Sequence, residues 1–406
     1  MSIRVHSWPN TKSCSRERPR RKTRIKTVSA PFRSYVLISR EQIARNYRNV
    51  RSVVGPGVEV AGVVKADAYG HGAVAVANCL AQCRADWFGV ASVEEALELR
   101  SAGITQPILL LGGLYMSDPA DLINYHLTPS VSSTARLDTY AECARRYGRP
   151  IEFHLKVDTG LGRLGVPPDH LAAFLEHYRA LEGVRLTGLL THLASAEDLV
   201  ATQTEQQGER FRAALAQLRS AGIEPDWTHV SNSGALLSGR EFPENMIRIG
   251  GLLYGYCMPL VLPPGEHLPD LPEFEPVLTF KSRVVYLKDV PSQTPLGYGE
   301  AFHTRRPSRI ATVPVGYADG LNRALSNRGH AIVRGRLARL VGSISMDLSL
   351  LDVTDIPGVN VGDEVMLLGQ SQQTSITALD IAQMLDTVPY EVLCLIGKRV
   401  PRLYGE

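Results

Sequence analysis

The chain has 406 residues, 44% of them hydrophobic, enough for two domains or for one large barrel with a smaller companion. Formal net charge is +3, yet ten of the 44 Lys and Arg residues crowd the first 33 positions beside a single acid, Glu17, and the remainder is net acidic. No stretch approaches the ~18 consecutive apolar residues of a membrane-spanning helix, and six scattered cysteines without a C-x-x-C pair argue against a disulfide or zinc framework and for free thiols in a reducing compartment, the cytoplasm.

Residues 1–33 are polar, lack apolar periodicity and contain Pro9, Pro19 and Pro31, so they read as a disordered basic extension. A basic tail can bind nucleic acid, but no aromatic interleaving supports this, and neither a nucleic-acid nor a membrane partner is expected. The pair Arg20-Arg21 lacks the apolar core that follows it in an export signal.

From about 35 to 255, short β-branched or leucine-rich runs alternate with longer amphipathic stretches. Strands are predicted at 58–64, 87–90, 107–111, 127–130, 152–156, 184–191, 227–231 and 246–249. Helices are predicted between them, at 74–83, 93–102, 134–147, 169–180 and 205–221. Strands alternating with helices imply a parallel sheet, and about eight such units predict an α/β fold, a (β/α)8 TIM barrel over 34–270, with a doubly wound sheet as the alternative. Near 260 the character changes. Pro259, Pro263, Pro264, Pro269, Pro272 and Pro276 forbid regular helix. Short strands follow at 278–287, 308–315, 330–333, 336–340, 348–352 and 364–368, with one helix at 377–385, so 271–406 reads as a C-terminal mainly-β domain.

In a barrel, chemistry sits at the C-terminal ends of the strands. The stretch AGVVKADAYGHG at 61–72 delivers Lys65 to such an end. A lysine there is either a wet rim residue or, if its amine is kept neutral, a Schiff-base former toward a carbonyl. Lys156 ends the run HLK, and Arg163 follows Gly160 and Gly162, its fork suited to a carboxylate. His192 ends GLLTH, Asn232-Ser233 end THVSNS, and Arg248 ends NMIR just before Gly250-Gly251, where the backbone can approach a phosphate closely. Each residue alone has an ordinary reading as a capped turn, a satisfied histidine or a surface ion pair. Their convergence on strand ends reads as a phosphorylated carbonyl cofactor on Lys65, for which pyridoxal phosphate fits best. No metal site is expected; Cys79 and Cys83, four apart on a helix, suit packing. In the second domain, Gly316–Gly320 and Ser345-Met346-Asp347 are either ordinary turns or, for Tyr317, the place of an acid/base.

These residues fall in eight ordered motifs: VVKADAYGHG (63–72), HLKVDTGLGRLG (154–165), LTHLASAED (190–198), VSNSGA (230–235), MIRIGGLLYG (246–255), VGYADG (315–320), GSISMD (342–347) and PYEVLCLIGKRVPRLY (389–404). Over 35–404 the chain resembles the bacterial alanine racemase family, pyridoxal phosphate enzymes of fold type III. The resemblance implies a barrel plus β domain acting as a homodimer, with 34–39 a strand joining the C-terminal domain and 40–53 the first helix. It implies the cofactor on Lys65, phosphate contacts from Tyr69, Ser233, Tyr390 and the backbone at Gly250 and Gly251, His192 and Asn232 beside it, and Arg248 facing the pyridine nitrogen. Arg163 and the Met346 backbone would hold the substrate carboxylate. Lys156 matches a lysine that is carbamylated in many members.

The implied reaction interconverts L- and D-alanine with two bases on opposite faces, Lys65 for the D-enantiomer's proton and Tyr317, from the partner subunit, for the L-enantiomer's, and supplies D-alanine for peptidoglycan. His192 would tune Tyr317 through a network with Arg248. Arginine does not deprotonate, so Arg248 disfavours ring protonation and weakens the electron sink that transamination and decarboxylation need. Alternatives on the same scaffold are a broad-specificity or serine racemase and an aldolase or decarboxylase; a further alternative is a non-catalytic pyridoxal phosphate carrier, a single-domain barrel that lacks the β domain and hence Tyr317 and Met346. Two departures stand out: Leu348 where many members are polar, and Gly251 where a larger apolar residue is common.

Overall fold

The computed structural model describes residues 32–113, 117–266, 270–371 and 374–405. The basic extension, apart from Phe32 and Arg33, lies outside them, as do Cys14 and Pro269. The chain divides into two units. One takes Arg40–Val277 and Val388–Cys394; the other takes the described residues up to Ser39, then Leu278–Thr387 and those from Leu395 on. The division falls after Val277 rather than after residue 270, and the short segment 388–394 groups with the first unit.

After β1 (Ser34–Ser39), which belongs to the second unit, helix Arg40–Val54 buries Ile43, Tyr47 and Val50, spaced to share one face. The barrel strands follow: β2 (Glu59–Val63), β3 (Trp87–Val90), β4 (Ile108–Leu110), β5 (Leu127–Val131), β6 (Ile151–Lys156), β7 (Val184–Leu190), β8 (Trp227–His229) and β9 (Met246–Ile249). Each pairs in parallel with the next, and β9 returns to β2, with Arg248 beside Ala61. This closure makes the unit a (β/α)8 barrel and rules out the doubly wound sheet. The strands are short apolar runs because both faces are buried, one by the barrel interior and one by the helices. Helix starts are specified locally: Ser92 accepts from the Glu95 amide at 3.4 Å, acids Glu94 and Glu95 occupy the first turn of Val93–Ser101, and Arg100 its last.

The second unit is built on one mainly antiparallel sheet. Its strands are β10 (Leu278–Arg283), β11 (Tyr286–Val290), β12 (Pro295–Leu296), β13 (Phe302–His303), β14 (Ser308–Val313), β15 (His330–Val333), β16 (Arg336–Leu340), β17 (Ser349–Asp352), β18 (Glu364–Gln370), β19 (Ser375–Ile376) and β20 (Arg402–Gly405). The main sheet runs β11-β14-β17-β16-β15-β18-β10-β1-β20, and β12 and β13 form a separate hairpin. The single strand expected over 278–287 is two. β10 pairs with β1 and β18, the chain bends at Val284-Val285, and β11 pairs with β14. Helix Ala378–Leu385 opens on a reciprocal cap between Thr377 and Asp380.

Candidate active site

Beyond β2, Lys65 opens one turn, Lys65–Gly70, in which Ala66, Asp67, Ala68 and Tyr69 all take left-handed backbone, φ between 52° and 56°. Each such residue costs about 1–2 kcal/mol, so the surroundings must hold the turn. Glu95 accepts from the amides of Ala66 and Ala91 at 2.6 and 2.7 Å, and Asp67 accepts from the Ala73 amide at 2.7 Å. His71 Nδ1 donates to the carbonyls of Ala68 and Tyr69 at 2.9 and 3.0 Å, and its ring stacks on Tyr254 at 4.5 Å. The Tyr69 ring lies 4.9 Å from Tyr254 and 5.6 Å from Tyr390. The turn was legible in the sequence; its left-handedness, in four residues none of which is glycine, was not.

Around Lys65 the barrel gathers positive charge. Burial, then Arg163, pull the Lys65 ammonium down, with Glu95 opposing. Burial, then Arg248 and Arg163, bring buried Lys156 down to about 8, and Lys65 adds to the effect. Of the acids that act on these two amines, Asp158 is already engaged, its Oδ1 accepting from the amides of Gly160, Leu161 and Gly162 at 3.0–3.1 Å to shape the loop that carries Arg163. Four cationic side chains sharing so little negative charge suit a ligand that brings its own, such as a phosphate or carboxylate.

Arg248 is buried and tightly held. Its Nη1 donates to His229 Nδ1 and His229 O, both at 2.9 Å, and its Nη2 donates to Thr191 O and Val230 O at 2.7 and 3.0 Å. Nη2 also lies 3.4 Å from His192 Nδ1. Of the five N–H donors of arginine, these contacts use the four terminal ones and leave Nε–H for a ligand. Burial lowers Arg248 to about 10, still a cation at neutral pH, and burial followed by Arg248 lowers His192 to about 3, so that histidine is neutral.

The ends of β8 and β9 form a cradle. Asn232 caps the turn Ser233–Ser238, its Oδ1 accepting from the Ala235 amide at 3.0 Å, and Ser233 Oγ accepts from the Leu252 amide at 3.3 Å. A Cβ on Gly250 would lie 2.5 Å from the Tyr69 hydroxyl; one on Gly251 would lie 2.4 Å from Tyr256 O and 2.6 Å from the Tyr390 hydroxyl. Two bare backbone positions facing two phenols beside a serine fit the phosphate of pyridoxal phosphate, and Lys65 and Arg248 fit its carbonyl carbon and ring nitrogen.

The first unit thus brings together Lys65, Tyr69, Lys156, Arg163, His192, Asn232, Ser233, Arg248, Gly250, Gly251 and Tyr390. Tyr317 and Met346 are neighbours on the second: Tyr317 N donates to Ser345 O at 3.0 Å and Ala318 N to Met346 O at 3.1 Å. The sequence reading did not single out Glu95, Tyr254, His229 or His154. It also passed over Tyr298, in the segment Tyr298–Glu300, whose carbonyl accepts from Ser343 Oγ at 3.2 Å. Tyr298 is 75% exposed against 43% for Tyr317. A G-Y-G triplet was its signal in the sequence. At the opposite, N-terminal end of the strands a cavity of about 640 Å³ is lined by Glu59, Trp87 and Trp227, away from every residue of the cradle.

Two family models cover nearly all of the described chain, alanine racemase N-terminal domain over 38–258 and alanine racemase C-terminal domain over 277–404. The chain belongs to the alanine racemase family. It is 41% identical over 370 residues to alanine racemase 2 of Caldanaerobacter subterraneus subsp. tengcongensis, spanning 91% of this chain and 94% of that protein. Its structure is similar to that of the Bacillus anthracis alanine racemase with bound L-Ala-P (TM-score 0.83, 31% identity, 93% and 96% of the two chains). It is also similar to that of the Bartonella henselae alanine racemase with covalently bound pyridoxal phosphate (TM-score 0.82, 31% identity, 92% and 100%). The barrel and sheet described above are the architecture of this alanine racemase family.

Proposed function

We propose that the chain is a pyridoxal phosphate-dependent alanine racemase that interconverts L- and D-alanine and supplies D-alanine for peptidoglycan. The observation that carries the reading is the pairing, in a barrel of this family, of a lysine at the end of β2 with a caged arginine on β9, beside a phosphate cradle.

Lys65 would hold the cofactor covalently, Tyr69, Ser233, Tyr390 and the amides at Gly250 and Gly251 its phosphate, and Arg248 Nε–H its ring nitrogen. Bound pyridoxal phosphate supplies an electron-withdrawing conjugated system that acidifies the Cα–H of an attached amino acid. Arg248 keeps its own proton and would donate Nε–H to the ring nitrogen without protonating it, which would favour simple proton exchange. Arg163 would receive the substrate carboxylate, its guanidinium fork suited to two oxygens. The neutral fraction of the Lys156 amine, enlarged by its lowered pKa, adds to CO2 with loss of one proton, and the resulting anion would neutralise part of the cation cluster and orient Arg163.

Racemisation requires a proton to leave one face and return to the other. Lys65 Nζ serves one face, its amine loosened by burial. The second base is a tyrosine of the second unit, donated across a homodimer, with His192 and Arg248 tuning it. Tyr317 is the expected residue; the greater exposure of Tyr298 on a neighbouring loop supports a second reading in which Tyr298 is the donated base. The five described cysteines are free, which suits the cytoplasm, and among the described residues no helix is long and apolar enough to cross a membrane. Chiral chromatography of alanine after incubation with the loaded enzyme tests the activity.

A further inference from the structure

Behind Arg248 the barrel interior holds two histidines that the reaction above does not use. From Arg248 Nη1 a polar chain runs to His229 Nδ1, and from His229 Nε2 to His154 Nδ1, each step 2.9 Å. Both histidines have no exposed surface. His154 Nε2 has no hydrogen-bond partner among the described residues. Its ring sits between two indoles, 5.5 Å from Trp87 and 5.6 Å from Trp227, and stacks on the latter at 29°. Glu59 Oε2 pins both indoles, accepting from Trp87 Nε1 at 2.8 Å and Trp227 Nε1 at 2.9 Å. On β7, Gly188 makes the room: a Cβ there would lie 2.4 Å from His154 Cγ.

Donor counting fixes the protons along this chain. A guanidinium only donates, so His229 Nδ1 is bare and its Nε2 carries the proton. That proton is donated to His154 Nδ1, which is therefore also bare, and the His154 proton lies on Nε2. Protonating either imidazole would set donor against donor. Burial lowers both histidines, His154 to about 3, in agreement with two neutral rings.

We infer that His154 is a positioning residue for Arg248: braced by Trp87, Trp227 and Gly188, it fixes the tautomer of His229, and His229 in turn fixes the guanidinium so that its Nε–H is aimed at the ring nitrogen of the cofactor. The inference rests on the reading of Arg248 as the partner of that nitrogen. A histidine pair in series does what an aliphatic filler cannot, because it supplies an acceptor to Arg248 without adding a compensating negative charge that would raise its basicity. Asparagine at 154 keeps an acceptor oxygen near the place of Nδ1, whereas leucine of similar bulk removes it and strands the His229 N–H.

The test has two parts on the cofactor-loaded enzyme. First, 15N spectra of the histidine-labelled wild-type protein are expected to show His154 and His229 both as neutral Nε2–H tautomers between pH 6 and 9, conditions chosen on the order of the ordinary histidine range. A Nδ1–H tautomer or an imidazolium at either overturns the proposal, whatever the activity. Second, His154→Leu is expected to shift the absorbance band of the lysine-bound cofactor, raise pyruvate formation relative to racemisation about tenfold, and leave the KM for alanine within about twofold, while His154→Asn returns all three to wild type. If the two variants, both folded by circular dichroism, behave alike, the proposal fails. If neither the wild type nor a variant binds pyridoxal phosphate through Lys65, the functional reading itself fails, and the 15N result still decides the tautomers.

Discussion

Arg399 grips Asp319 at two points, Nε to Oδ1 at 2.8 Å and Nη2 to Oδ2 at 3.0 Å, around a carboxylate with no exposed surface. Arg33 adds a contact to Oδ1 at 2.9 Å, and Oδ2 also accepts from the Gly316 amide at 2.9 Å. Arg399 reaches on to Asp347 at 2.8 Å and to Met346 O at 3.3 Å. One buried acid therefore ties the Tyr317 turn to the Met346 loop. A buried acceptor left with fewer charged bonds is costly, so Asp319→Asn is expected to lower Tm by roughly 5 °C and to raise the KM for alanine more than it lowers kcat. Unchanged Tm and KM would show that the pair is idle.

Gly251→Val places carbon atoms where Tyr256 O and the Tyr390 hydroxyl already stand. The cradle must open, and affinity for pyridoxal phosphate should fall by about tenfold or more, read from the absorbance of the lysine-bound cofactor during titration. Binding as tight as wild type would mean that this backbone does not touch the phosphate.

Three barrel histidines should set acid stability. Burial holds His154 and His192 at about 3 and His229 well below its usual value. Their unfolded values lie near 6.5, so between roughly pH 6.5 and 3 the unfolded chain binds more protons than the folded one, and stability, full above 6.5, falls as pH drops. Each contributes a slope of up to about 1.4 kcal/mol per pH unit. Urea midpoints measured from pH 7.5 downward should decline below about 6.5, and His154→Asn should lessen the slope by one proton. A flat profile would contradict neutral burial.

Replacing the donated base distinguishes two tyrosines. Tyr317→Phe and Tyr298→Phe each remove one phenol with little change of shape. The variant that loses the second base should slow α-proton exchange of L-alanine by about 100-fold or more while sparing that of D-alanine. Loss in neither would remove tyrosine from the mechanism.

The eight barrel strands were legible because burial on both faces leaves short apolar runs between amphipathic helices; 87–90 and 246–249 match strands Trp87–Val90 and Met246–Ile249 in full. Positions at strand ends were legible for the same reason, since Lys65, Lys156 and Arg248 interrupt those runs. The bend at Val284-Val285 was not, because both halves are apolar and only their pairing partners differ. His154 and His229 escaped notice because a histidine inside an apolar strand carries no sign of its neighbour on another strand, and His154 meets His229 only through barrel register. Arg33 was read as part of the tail, and nothing in its local sequence points to Asp319.

The central claim is a racemase built on Lys65. The most direct measurement incubates the cofactor-loaded protein with L-alanine in D2O and resolves the products by chiral chromatography with mass detection, with Lys65→Ala in parallel. D-alanine carrying deuterium at Cα should accumulate to about an equal share with L-alanine, and Lys65→Ala should form it at least about a thousandfold more slowly. Absence of D-alanine from the wild type, or its undiminished formation by Lys65→Ala, would contradict the account.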